Sequence, residues 1–163
     1  MTEARIELIG GEELKRLMRD SEFVRGPAQD FIRTAAFEVL AHAQQNAPVN
    51  SGRLRNSLTV DFRSRTGEVA ATVGSNLVYA KPVEYGSRPH FPPVAPLELW
   101  ARRKLGVPAR RARSVAFAVA RKIARRGTPA QPYLGPALEQ SKGAIEAALA
   151  RLGADIERNW SRA

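Results

Sequence analysis

The side chains able to do chemistry are few and badly spaced for it. Two histidines and no cysteine occur in the 163 residues. Thiolate zinc ligation, iron–sulfur ligation, a disulfide framework and a thiol nucleophile are therefore excluded together. His42 falls inside a helical pattern with no second histidine four residues away to complete a metal pair, so it reads as a packed or surface histidine. His90 lies in a loop between Pro89 and Phe91. As a general base it needs an orienting acid and a nucleophile; Ser87 is near, but no G-x-S-x-G elbow surrounds it. Asp61, Glu68, Glu84, Glu98 and Glu139 form no D-x-D or E-x-x-H arrangement, and the glycines follow neither the Walker pattern nor G-x-G-x-x-G. The expectation is a protein that is not an enzyme, with no catalytic, metal or cofactor-binding residues and no cofactor.

Charge is the stronger signal. Lys and Arg number 26 against 16 Asp and Glu, a formal net charge of +10. Between Leu99 and Leu138 stand Arg102, Arg103, Lys104, Arg110, Arg111, Arg113, Arg121, Lys122, Arg125 and Arg126, with no acid among them. That stretch carries the whole surplus. A strip so basic predicts an anionic partner or cavity, either nucleic acid or the acidic face of another protein; the plainer reading is a solvated helix face. No helix-turn-helix spacing is evident and aromatics make up only 7% of the chain, so base reading is not expected and any contact with DNA is nonspecific phosphate attraction.

The elements that must position these residues follow from periodicity. Phe31, Ala35, Val39 and Ala43, joined by Ile32, Ala36 and Leu40, recur at three and four residues and predict a long helix from Pro27 to the Ala47–Pro48 stop. Pro48, Asn50, Ser51 and Gly52 then turn the chain, and Leu54 and Leu58 fit one tight helical turn. Leu58, Val60 and Phe62 alternate with polar residues, as do Val69, Ala71 and Val73, predicting an antiparallel hairpin across RSRTGE. VYAKPVEYG reads as a third strand with Pro82 at an edge or bulge, and RIELIG as a short strand or arm before a short helix in GEELKRLMRD. LELWARRKLG is a helical fragment, and LGVPARRAR is too basic to pack deeply. In SVAFAVARKIARRG, Val115, Val119 and Ile123 share a face and Gly127 is a C-cap. Leu138, Ile145, Leu149, Leu152, Ile156 and Trp160 mark an amphipathic C-terminal helix weakened by Gly143 and Gly153.

These elements predict a single α+β domain over residues 1–163: a helix-plus-sheet core at 27–98, a basic helical insert at 99–130, and a proline-rich passage with the last helix at 131–163. The start of the chain is acidic and no run of eighteen apolar residues occurs, so neither export nor membrane spanning is expected. The cysteine-free chain suits a reducing cytoplasm.

Three blocks, APVNSGRLRNSL, VGSNLVYAKPVEYGS and PAQPYLGPALE, in this order and spacing, resemble the tail-component family of siphophages. That family includes neck and tail-completion (head–tail joining) proteins and is similar to minor tail protein Z. The resemblance runs over about residues 27 to 150, and the insert from SRPHFPP onward is similar to that of longer members. It implies a virion protein made in the host bacterial cytoplasm, a ring subunit at the head–tail junction, six-fold as a family-level expectation. Implied neighbours are head-completion, tail-terminator or tail-tube proteins, with nonspecific contact to phage DNA possible through the basic insert and no membrane. Carried onto this chain, the motif residues are Ala47, Pro48, Gly52, Leu54 and Ser57; Tyr79, Ala80, Glu84, Tyr85 and Gly86; and Pro132, Tyr133, Leu134 and Ala137. Tyr85 and Tyr133 stand where phenylalanine is also usual.

Read from the residues alone, Gly52 supplies a positive φ or a close approach, and Tyr79 and Tyr85 bury ring area at a half-wet boundary. The prolines between Ser87 and Pro96 stiffen a loop expected to touch a neighbouring subunit. A minor tail or tail-terminator protein, and a small basic nucleic-acid-binding protein, are the alternatives.

Overall fold

The computed structural model describes residues 2–7, 11, 12, 16, 22–65 and 68–161. In chain order they form β1 (Thr2–Glu7), α1 (Glu22–Asn46), α2 (Arg53–Asn56), β2 (Leu58–Arg65), β3 (Glu68–Ser75), α3 (Ala80–Tyr85), α4 (Val94–Leu105), α5 (Ala109–Arg126) and α6 (Leu134–Trp160). The expected α+β class is observed. Most of the short helix read in GEELKRLMRD, and the end of RIELIG, lie outside the described residues.

Helix α1 begins at Glu22, a turn before Pro27, which sits inside the helix. A proline there has no N–H to donate to the carbonyl four residues back, so the helix gives up that hydrogen bond. Val24, Ala28, Ile32, Ala35, Ala36, Val39 and Ala43 are almost wholly buried, because α1 packs on the sheet with one side and along α6 with another. The sheet is antiparallel in the order β1–β3–β2. Leu58, Val60 and Phe62 lie in register with Ser75, Val73 and Ala71, and Ala4 and Ile6 face Val73 and Ala71 from the other side. These residues turn toward α1, and the other sheet face carries polar groups such as Arg5, Thr59 and Thr72, as period-two alternation requires. Each fully buried Val, Ile or Leu here contributes about 1.5–3 kcal/mol.

The third strand is not VYAKPVEYG. Those residues turn at Leu77 and form α3, while β1, from the start of the chain, occupies the free edge of β3. Two physical reasons favour the helix. Pro82 falls in its first turn, where a backbone N–H has no intrahelical acceptor, whereas a strand loses a ladder bond there. Ala80 and Glu84, four apart, are the residues it buries.

Helices α4 and α5 form a hairpin of their own. Gly106, at φ 62, ends α4, and the Val107 N–H donates to the Ala101 carbonyl at 3.3 Å. Helix α5 starts at Ala109, so ARRAR, expected to be too basic to pack deeply, opens the helix and buries Ala112. Its buried stripe is Ala112, Ala116 and Ala120, set against Ala101, with Val115, Val119 and Ile123 only half-buried beside it. Methyl-sized side chains let the two helix backbones approach closely, which larger ones on that line would prevent.

Candidate functional site

The three sequence blocks meet at two junctions. At the first, the Ser57 hydroxyl donates to the Leu54 carbonyl at 2.7 Å and lies 2.8 Å from the Ser75 hydroxyl, which accepts from the Leu77 N–H at 3.1 Å. One proton arrangement satisfies all three: Ser57 donates to Leu54, Ser75 to Ser57, Leu77 to Ser75. The turn after α1, in which Gly52 has φ 77 and Ala47 and Leu54 are buried, is thereby fastened to the end of β3.

The second junction is the more demanding. Glu84 is 5% exposed, and its carboxylate accepts backbone N–H groups from Tyr133 at 2.7 Å, Leu134 at 3.0 Å and Gly135 at 3.0 Å. These are the orphan donors at the start of α6, and no side chain of Tyr133, the residue before that helix, caps them. A carboxylate from another element supplies the anion that a helix N-terminus favours. Around it the Gln131 N–H donates to the Val83 carbonyl at 2.8 Å, and Ser87 and Thr128 exchange backbone hydrogen bonds at 3.1 and 3.2 Å. Ala80, Leu134, Ala137 and the Tyr133 ring join the core beneath. The Tyr133 hydroxyl is buried with no hydrogen-bond partner among the described residues. Burial, then the negative charge of Glu84 and of Tyr85, push its pKa up to about 12.

Tyr79, just before α3, and Tyr85, its last residue, do not play the buried part expected of them. Tyr79 is 41% and Tyr85 67% exposed, beside Val78 at 94%. With Pro48, Gly52, Leu54, Val83, Trp100, Lys104 and Gln131, Tyr79 lines a cleft of about 690 Å³ between the α1–α2 turn, α3 and α4. Trp100 and the Ser87–Thr128 bridge were not legible as members of any site.

Neither histidine assembles a reactive group. His42 pairs with Glu38, one helical turn away on α1, at 3.4 Å. His90 Nδ1 is 2.9 Å from the Arg88 carbonyl and 3.5 Å from Ser87 Oγ. The carbonyl can only accept, so the 2.9 Å contact is a hydrogen bond only in the tautomer with the proton on Nδ1, which cannot take one from Ser87. Ser87 Oγ meanwhile accepts from the Thr128 N–H and Thr128 Oγ1, at 3.1 and 2.9 Å. Among the described residues no group of three His, Asp or Glu could hold a metal ion, and no helix is long and apolar enough to cross a membrane.

All ten cations of the basic stretch project from the α4–α5 hairpin: Arg102, Arg103 and Lys104 end α4, Arg110, Arg111 and Arg113 begin α5, and Arg121, Lys122, Arg125 and Arg126 end it. Every one is exposed, and none forms an ion pair with the described residues. Three arginines at a helix N-terminus oppose its dipole and cost a few tenths of a kcal/mol each.

The fold is thus a helix-backed three-stranded α+β unit in which the Ser57, Ser75, Ser87 and Thr128 hydroxyls and the buried Glu84 carboxylate fasten segments together. Residues 12–86 match the family described as "Bacteriophage HK97-gp10, putative tail-component". The resemblance read from the first two blocks is therefore to a phage tail-component family. The match ends at Gly86, so the α4–α5 hairpin and the third block lie beyond it. No curated protein and no solved structure matches the chain.

Proposed function

We propose that the protein is a structural component of a tailed-phage particle, a neck or tail-completion subunit that joins the tail to the head as one member of a ring. The observation that carries this reading is the family match over residues 12–86. The third block adds support: Glu84, inside the match, binds the backbone of Tyr133, Leu134 and Gly135 beyond it. The matched region contains α1, α6 is tied to it through Glu84 and packs along α1, and the hairpin between α3 and α6 stands apart from both. In the ring a subunit presents different faces to its two neighbours, as closed heterologous assembly demands. Exposed Tyr79, Tyr85, Val78 and Phe91, with the stiff loop ahead of α4, are the surfaces this reading gives to neighbouring subunits or to head-completion, tail-terminator or tail-tube proteins. Its location is the virion, after synthesis in the host cytoplasm.

The test is a tagged chain in purified particles, viewed by gold labelling, together with a phage deleted for it. Label at the head–tail junction, with separate filled heads and tails in the deletion, is the expected result. Label elsewhere on the tail would favour a minor tail or terminator role; absence from particles, or normal particles without the chain, would overturn the proposal.

A further inference from the structure

We infer that the α4–α5 hairpin is a duplex-DNA backbone clamp, reading phosphates and not bases. The inference deepens the assembly reading, on which it rests for the identity of the DNA met in the particle. Its partner follows from the charges. A second copy of this chain offers the hairpin no net negative charge, because outside its own basic stretch its basic and acidic residues balance, and several of its carboxylates are already occupied. Glu7 and Glu68 face Arg5, Asp61 faces Arg63, Glu139 faces Lys142, Asp155 faces Arg158, and Glu84 is buried on the start of α6.

An acidic protein is the less suitable partner. The cores of protein interfaces are apolar and depleted in charge, whereas the hairpin exposes three large apolar residues, Leu99 and Leu105 on α4 and Phe117 on α5, against ten cations. Eight of the ten cations are arginine, the side chain whose planar fork matches a phosphate in two hydrogen bonds. Spacing agrees. The uncharged stretch from Ser114 to Ala120 separates Arg113 from Arg121 by about 12 Å at helical rise, close to the width of the major groove. Along its whole length α5 spans about 27 Å, a distance over which duplex DNA presents roughly 16 charges. Two cationic ends on either side of one groove, with nothing between them to hydrogen-bond several base edges, predict binding without sequence preference.

The experiment titrates the full chain with two unrelated 30-base-pair duplexes at several salt concentrations, beside three variants. One carries Arg121→Gln, Lys122→Gln, Arg125→Gln and Arg126→Gln; the second carries Arg110→Gln, Arg111→Gln and Arg113→Gln. The third removes four exposed cations of the body, by Arg25→Gln, Arg33→Gln, Arg55→Gln and Lys81→Gln. Expected are equal affinities for the two sequences and, for the first variant, a salt slope smaller by about 3 to 4 with affinity down at least tenfold. The second should lose nearly as much and the third little. No binding at low salt, equal loss in the third variant, or competition by poly-glutamate as strong as by DNA at equal charge would overturn the inference, the last in favour of an acidic protein surface. Particle incorporation is scored separately: a chain present in particles that ignores DNA sinks this inference alone, and one that binds DNA but is absent from particles sinks only the assembly reading.

Discussion

The Glu84 carboxylate lies 2.7 Å from the Tyr133 amide nitrogen, across 49 positions of sequence. It does for α6 what a capping Ser or Asp does from the adjacent residue, but from a different element, so formation of the last helix is coupled to the position of α3. Loss of this contact frees the start of α6 and, with it, the packing of Leu134 and Ala137 beneath α3.

Glu84→Gln keeps one acceptor oxygen and turns an NH2 group toward backbone N–H groups that need acceptors. Hydrogen bonds to a charged group are worth about 1.5–3 kcal/mol, and a buried donor left unpaired costs a similar amount. We expect Glu84→Gln to lower unfolding stability by about 2–3 kcal/mol in urea, with an unchanged m-value. A loss below about 0.5 kcal/mol would show that water replaces the carboxylate freely.

Glycine substitutions should split by position. Gly86 (φ 77) and Gly127 (φ 69) bring the 86–87 and 127–130 backbones together, and a Cβ on Gly86 would stand 2.7 Å from the Thr128 carbonyl oxygen. Gly86→Ala and Gly127→Ala are each expected to cost at least about 2 kcal/mol, since both strain and collision are introduced. Gly143 and Gly153 lie within α6 and a Cβ there meets open space. Changing either to Ala should stabilise by about 1 kcal/mol. Thermal melts of the four variants check the contrast.

What the sequence disclosed and what it hid divide along range. The long helix, the turn at Arg53–Asn56 and the β2–β3 hairpin are local patterns, and periodicity found them. The third strand failed because Val78, Tyr79, Val83 and Tyr85 are strand-forming types, while the competing strand for the edge, β1, starts some seventy residues earlier. Glu84 was noted within a motif, but nothing local reveals that its carboxylate reaches Tyr133. The usable hint was a lone acid four residues after a small apolar one, Ala80, with Gly86 close behind. On α5 the larger Val115, Val119 and Ile123 drew attention from Ala112, Ala116 and Ala120, which keep the same four-residue spacing and are the ones fully buried.

Tyr133 should govern the alkaline limit. Burial first, then the charges of Glu84 and Tyr85, raise its pKa from 10.0 to about 12. The unfolded chain therefore releases this proton before the folded one does, and between pH 10 and about 12 the folded state holds more protons. Stability from this group is complete below pH 10 and falls as pH rises toward 12. Tyr133→Phe removes both the titration and a buried hydroxyl with no partner among the described residues, at nearly constant volume. It should stabilise by about 1 kcal/mol at neutral pH and flatten the decline above pH 10. Urea midpoints at pH 8, 10 and 11 test both; a destabilised variant at pH 8 would mean that the hydroxyl has a partner in solution.

The alanine seam makes the hairpin separable from the body in energy. Ala101, Ala112, Ala116 and Ala120 are wholly buried yet stand outside the core cluster formed by α1, the sheet and α6. Enlarging one of them forces α4 and α5 apart, and overpacking of this kind costs about 1–3 kcal/mol. In Ala116→Leu the cost should fall on the hairpin: amide exchange should accelerate across residues 94–126 while α1, around Ile32 and Val39, keeps its protection. DNA affinity should fall with it if the seam holds the two cationic ends of α5 in register with α4. Equal acceleration in α1 and the hairpin would instead mean that the two unfold as one unit, and that the seam belongs energetically to the main core.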